Sequence, residues 1–138
     1  MNAGASDDVP AQFQTFLAFD FGLKRTGVAV GNRMLRTATA QPTIRAEGAA
    51  RLDEAEARVR EWLPDALVVG VPFHPDGASH DNTARARKFA RQLRGRCGKP
   101  VYEVDERYST TEALASGARD ADAASACIIL EQFLRSLP

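Results

Sequence analysis

Cysteine is scarce in this chain. Cys97 and Cys127 are the only two, 30 residues apart, and that separation lacks the short spacing of a metal-binding pair. Free thiols in a reducing compartment are the simplest account, so a cytoplasmic location is expected. Long apolar runs are missing as well. None approaches the length needed to cross a bilayer, so no membrane partner is expected. The first residues, Met1 to Gln14, are small and polar, without a basic patch followed by an apolar run. They are expected to be a flexible tail (1–14) rather than a secretory signal, ahead of one domain over 15–138. Net charge is also absent, since 18 basic residues balance 18 acidic ones. Total charge therefore gives no hint of a polyanionic partner, and any such hint must come from how the charges are distributed.

What remains is ordinary globular composition, 44% apolar and 26% charged over 138 residues, enough for a single buried core. The pattern along the chain alternates. Phe16–Phe21 and Gly27–Val30 have strand character and are joined by a short glycine-containing turn, most simply a hairpin. A third strand is expected within Met34–Ala40. Leu52, Ala55, Val59 and Leu63 recur at helical spacing over Ala49–Leu63, and Pro64 stops that helix. Ala66–Val71 is a continuous apolar run, as in a strand buried on both faces. Pro72–His80 is a loop, Thr83–Arg96 a helix, Val101–Val104 a short strand and Ser109–Ser116 a short helix. A last helix opens at Asp120 or Asp122 and ends near Leu137. The order β-β-β-α-β-α-β-α implies an α/β domain with a mixed five-stranded sheet flanked by helices.

Acidic residues stand where elements end. Asp20 closes the first strand just before Gly22, with apolar neighbours on both sides. Asp105 and Glu106 follow the last strand. In the final helix the apolar stripe is Ala126, Ile129, Leu130, Phe133 and Leu137, and counting back one turn from Ala126 puts Asp122 on the same stripe at the helix N-terminus. Carboxylates gathered at strand ends without a His/Cys set make the hard-oxygen environment preferred by Mg²⁺ or Mn²⁺. Two such ions about 4 Å apart can clamp both oxygens of a phosphodiester displacement. Each acid taken singly also has a structural role open to it: a helix cap for Asp122, a turn for Asp20, a solvated loop for Asp105 and Glu106. His74, in the loop after the central strand, is a weak candidate for proton transfer, and Ser109-Thr110-Thr111-Glu112 has the form of a capping box.

From Thr83 to Lys99 the chain carries Arg85, Arg87, Lys88, Arg91, Arg94, Arg96 and Lys99 without one acid. Ala86, Phe89, Ala90, Leu93 and Cys97 form its core stripe. The preceding helix holds many of the compensating acids, so the neutral total conceals a one-sided basic face suited to phosphate contacts. Aromatics are few there, so base stacking is not indicated.

Four ordered blocks resemble the YqgF family. They are Asp20-Phe21-Gly22 with Arg25-Thr26-Gly27, Val69-Gly70-Val71-Pro72 with Asp76-Gly77, Asp105 to Thr110, and Asp122 to Ala126 with Ile128-Ile129-Leu130. The family is bacterial, similar to Holliday-junction resolvases and associated with nucleolytic processing of the 5′ end of pre-16S rRNA. The resemblance spans Phe16 to Leu134. It implies an RNase H-like fold and a metal-binding carboxylate site at Asp20, Glu106 and Asp122, preferring Glu106 to Asp105. It also implies that Arg25, Arg107, Ser109 and Thr110 line the site. With Arg85, Arg87, Lys88 and Arg91 of the basic helix they would contact nucleic acid. The eleven residues between Thr110 and Asp122 are fewer than the resemblance leads one to expect, and Arg119 is their only cation.

The function expected is therefore a Mg²⁺- or Mn²⁺-dependent nuclease acting on structured RNA or branched DNA, as a monomer or weak homodimer. A noncatalytic nucleic-acid-binding module is the alternative from another class. An actin-like phosphotransferase shares the Asp-Phe-Gly hairpin, but 138 residues cannot supply the second lobe that would close over ATP.

Overall fold

The computed structural model describes residues 9–72, 81–105 and 121–138, with only the backbone at 121 and 122. Five strands form one sheet: β1 (Thr15–Phe21), β2 (Thr26–Asn32), β3 (Thr37–Ile44), β4 (Ala66–Val71) and β5 (Val101–Asp105). Their spatial order is β3-β2-β1-β4-β5. β1, β2 and β3 form an antiparallel meander, whereas β4 and β5 run parallel to β1. Three helices are described, α1 (Gly48–Trp62), α2 (Asp81–Cys97) and α3 (Ala121–Arg135). The short helix expected over Ser109–Ser116 and the loop containing His74 and His80 lie outside the described residues. Among the described residues no helix is long and apolar enough to cross a membrane.

Strand alternation sorts the core into two halves. Leu17, Phe19, Leu67 and Val69 pack against Ala55 and Val59 of α1 and Phe89, Ala90 and Leu93 of α2. Phe16, Ala18, Ala66 and Val68 face the other way, onto Ala126, Ile129, Leu130, Phe133 and Leu134 of α3. β4 is buried along its whole length because helices cover both its faces.

Three segments differ from the sequence expectation. The third strand starts at Thr37 and runs to Ile44, so Met34 and Leu35 belong to a turn and are exposed. Asn32 accounts for the turn: its side-chain oxygen accepts from the Leu35 amide at 2.8 Å and its carbonyl from the Arg36 amide at 3.0 Å. Pro42 is tolerated because β3 lies at the sheet edge. Within the segment expected as a tail, the chain at 9–13 is held to the fold. Val9 is buried, and the buried Arg33 donates to the carbonyls of Pro10 (2.8 Å) and Phe13 (3.2 Å). In α1 the buried stripe is Arg51, Ala55 and Val59, while Leu63 is exposed as a left-handed C-cap (φ 49°). The chain turns there before Pro64, so Leu63 cannot continue the apolar face.

Candidate active site at the carboxyl ends of the parallel strands

β1, β4 and β5 all end at the same edge of the sheet, where α/β proteins place their ligands. Asp20 lies there, half-buried, next to last in β1. It follows Phe16 and Ala18 in alternation, so it belongs to the α3 face of the sheet. Its register partners are Gly27 on β2 and Gly70 on β4. Both register neighbours lack a side chain, so neither places one beside the carboxylate.

Helix α3 runs toward this edge. Phe133, near its C-terminus, packs edge-on against Phe16 (centroids 5.3 Å apart) and lies beside Tyr102 (5.5 Å), both at the amino ends of their strands. Asp122 precedes Phe133 by eleven residues, about 16 Å of helix. Asp20 follows Phe16 by four residues, about 13 Å of strand. The first turn of α3 is thus about as far along the helix from Phe133 as Asp20 is along β1 from Phe16. The C-terminal end of the helix is held by Arg36, which donates to the carbonyls of Leu134 (2.5 Å), Leu137 (2.8 Å) and Pro138 (3.1 Å).

The backbone of Asp122 is in that first turn. The Asp122 side chain and all of Glu106, Arg107, Ser109 and Thr110 fall outside the described residues. Asp105 closes β5 opposite Val71 and is exposed. Among the described residues there is no group of three His, Cys, Asp or Glu side chains able to hold a metal; of the three candidate ligands, only the Asp20 side chain is among them. Arg25 is exposed in the hairpin that follows Asp20. That hairpin is closed by the Gly22 amide donating to the Arg25 carbonyl at 2.9 Å.

Sequence inspection missed Arg51. It is 4% exposed, lies over the Phe21 ring at 4.3 Å, and donates to the carbonyls of Leu23 (2.5 Å) and Ala46 (3.1 Å). Burial lowers its pKa, partly offset by Glu47. It braces the hairpin carrying Arg25 from the far side of the sheet. The signal was its position one turn before Ala55, on the buried stripe.

The basic helix is less uniform than its sequence. Arg96 pairs with Asp53 (2.7 Å) and Glu56 (3.4 Å) of α1, and Arg87 with Glu103 of β5 (3.4 Å). Arg94 donates to the Val101 carbonyl at 3.2 Å. Acids absent locally are thus supplied from neighbouring elements. Arg85, Lys88 and Arg91 are exposed and form no ion pair among the described residues.

Residues 14–136 match the family described as RuvX: Holliday junction resolvase. The chain belongs to the RuvX family. A Polaromonas protein named "Putative pre-16S rRNA nuclease" is 72% identical over 138 residues, covering all of both chains. A Burkholderia thailandensis protein of the same name is 48% identical over 147 aligned residues, covering all of this chain and 96% of its own. Among solved structures, Thermus thermophilus RuvC in complex with a Holliday junction substrate superposes with a TM-score of 0.55 at 16% identity, covering 88% of this chain and 94% of that one. A second T. thermophilus RuvC structure gives a TM-score of 0.51 at 15% identity, over 88% of this chain and 95% of that chain. The fold is that of RuvC, the RNase H-like fold the sequence resemblance implied.

Proposed function

We propose that this chain is a metal-dependent nuclease that hydrolyses phosphodiester bonds in structured RNA, in processing the 5′ end of pre-16S rRNA. The observation that carries this reading is Asp20, a half-buried carboxylate flanked in register by Gly27 and Gly70 at the carboxyl edge of a RuvC-like sheet. The names of the full-length relatives supply the substrate.

Asp20, Glu106 and Asp122 form an all-oxygen donor set, which fits Mg²⁺ or Mn²⁺ and not a softer metal. A divalent ion bound there supplies Lewis-acid stabilisation of the charge that builds on the phosphoryl oxygens. In this reading Asp20, on a rigid strand, fixes the geometry. Arg25, on the adjacent hairpin, meets a neighbouring phosphate. Arg107, Ser109 and Thr110 contact the strand beyond the cleaved bond, and Arg85, Arg87, Lys88 and Arg91 hold more distant phosphates. The protein acts in the cytoplasm as a monomer or weak homodimer.

The test is cleavage of an RNA carrying the 5′-extended end of 16S rRNA. Asp20→Asn is expected to lower the rate by at least about 100-fold, the scale of losing one element of a preorganised site, with an unchanged melting curve. Cleavage that persists in EDTA, or in the Asp20→Asn protein, overturns the proposal. The family description favours a second substrate, branched DNA, and a four-way DNA junction cleaved faster than the RNA would transfer the assignment to it.

A further inference from the structure

A cavity of about 340 Å³ opens between α1 and α2, lined by Phe21, Leu52, Phe89, Arg85, Lys88 and Gln92 together with Arg51 and the first residues of α1. It lies at the same edge of the sheet as Asp20 but on the opposite face. Phe21, which helps line it, is the residue after Asp20 and alternates onto the face covered by α1 and α2. Among the described residues no carboxylate lines the cavity. Its apolar part is aromatic and rigid: Phe21 and Phe89 have ring centroids 5.4 Å apart, and Arg51 clamps Phe21 from above. Lys88 and Arg85 form no ion pair among the described residues, and Arg85 donates only to the neighbouring Asn82 amide oxygen. Arg96, on the same helix, has two carboxylate partners. The fold therefore neutralises one flank of α2 and leaves cationic the flank that borders an apolar cavity.

We infer that this cavity binds one unpaired nucleotide of the substrate strand, its phosphate on Arg85 and Lys88 and its base against Phe21, Leu52 and Phe89. The size is that of a small-ligand pocket, and cation plus aromatic surface is the combination by which single-stranded nucleic acid is held. Gln92 offers both a donor and an acceptor to a base edge. The assignment rests on the reading of the chain as acting on nucleic acid. It adds that the strand crosses the sheet edge, with the cleaved bond at Asp20 on one face and a flanking nucleotide anchored on the other.

The experiment measures binding, not turnover, in full-length Asp20→Asn protein without metal, using a fluorescein-labelled single-stranded RNA decamer. Arg85→Ala with Lys88→Ala is expected to weaken binding about tenfold or more and to reduce the slope of log K against log salt by about 1.4, the value for two single-strand phosphate contacts. Ala49→Trp fills the cavity from an exposed position without changing charge and is expected to weaken binding as much. Arg96→Ala is expected to leave it unchanged. UMP should compete with the decamer better than ribose 5-phosphate does, because only UMP carries a base. Binding unaffected by Ala49→Trp in a protein that melts normally, an equal loss in Arg96→Ala, or equal competition by the two phosphates would overturn the inference. Because nothing is cleaved, absence of nuclease activity in the parent protein leaves the result readable.

Discussion

Thr26 opens β2 opposite Phe21, fully buried, and its hydroxyl has no hydrogen-bond partner among the described residues. A buried hydroxyl that makes no bond carries a desolvation cost with nothing to offset it. Its other side-chain arm, a methyl group, packs as valine would, and valine suits a strand. Thr26→Val is expected to raise stability by about 1 kcal/mol, read as a higher urea midpoint at constant slope. A lower midpoint would mean that the hydroxyl has a partner the packing does not reveal. Arg51 is the opposite case at the same scale. Its charge is taken out of water, but two carbonyls and the Phe21 ring receive it, so it can remain on a helix stripe otherwise made of Ala55 and Val59.

At the scale of elements, the hairpin between β1 and β2 is the part most sensitive to a single atom. A Cβ at Gly22 would stand 2.7 Å from the Arg25 carbonyl oxygen, and that oxygen is backbone and already accepts the Gly22 amide. The turn must open to admit a methyl group. Gly22→Ala is expected to cost about 1–3 kcal/mol, as overpacking does, and to lower nuclease activity more than stability alone explains, because the turn separates Asp20 from Arg25. Equal activity per folded molecule would remove the hairpin from the site. The basic helix shows why charge patterns need their surroundings. Its run of seven cations from Arg85 to Lys99 is plain in the sequence, yet Asp53, Glu56 and Glu103 come to two of them from other elements.

For the whole molecule, the start of the sheet is tied together by Asp65. Its carboxylate accepts the amides of Gln14 (2.7 Å) and Thr15 (3.0 Å), joining the segment before β4 to the entry of β1. These bonds, with Lys99 adding attraction, hold the Asp65 pKa below its ordinary value. A carboxylate with a depressed folded pKa contributes stability above its unfolded pKa, about 3.9, and loses it as pH falls through the folded value. Water still reaches the group, which keeps the contribution near about 1 kcal/mol. Asp65→Asn is therefore expected to lower stability by that amount at pH 7, with the difference shrinking below about pH 4. Urea unfolding of both proteins at several pH values checks it, and a pH-independent difference would assign the loss to geometry instead. Both thiols fit the same globular account. Burial pushes Cys127 up to about 11 and raises Cys97 as well, so neither is poised for reaction near neutral pH.

The amino-acid sequence by itself determined the element order, the mixed sheet and the core stripes of α2 and α3, because apolar periodicity reports burial locally. It also singled out Asp20, since a carboxylate at the end of an apolar run stands out wherever the chain folds. Contacts between residues far apart in the chain were decided by the tertiary structure. Register set Gly27 and Gly70 on either side of Asp20, two residues whose meaning depends on their neighbours across the sheet. Packing, too, selected Arg51 for burial and divided the basic helix into a paired flank and a flank open to a cavity. Local sequence could announce neither, because an arginine's worth depends on the carbonyls and carboxylates that distant segments bring to it.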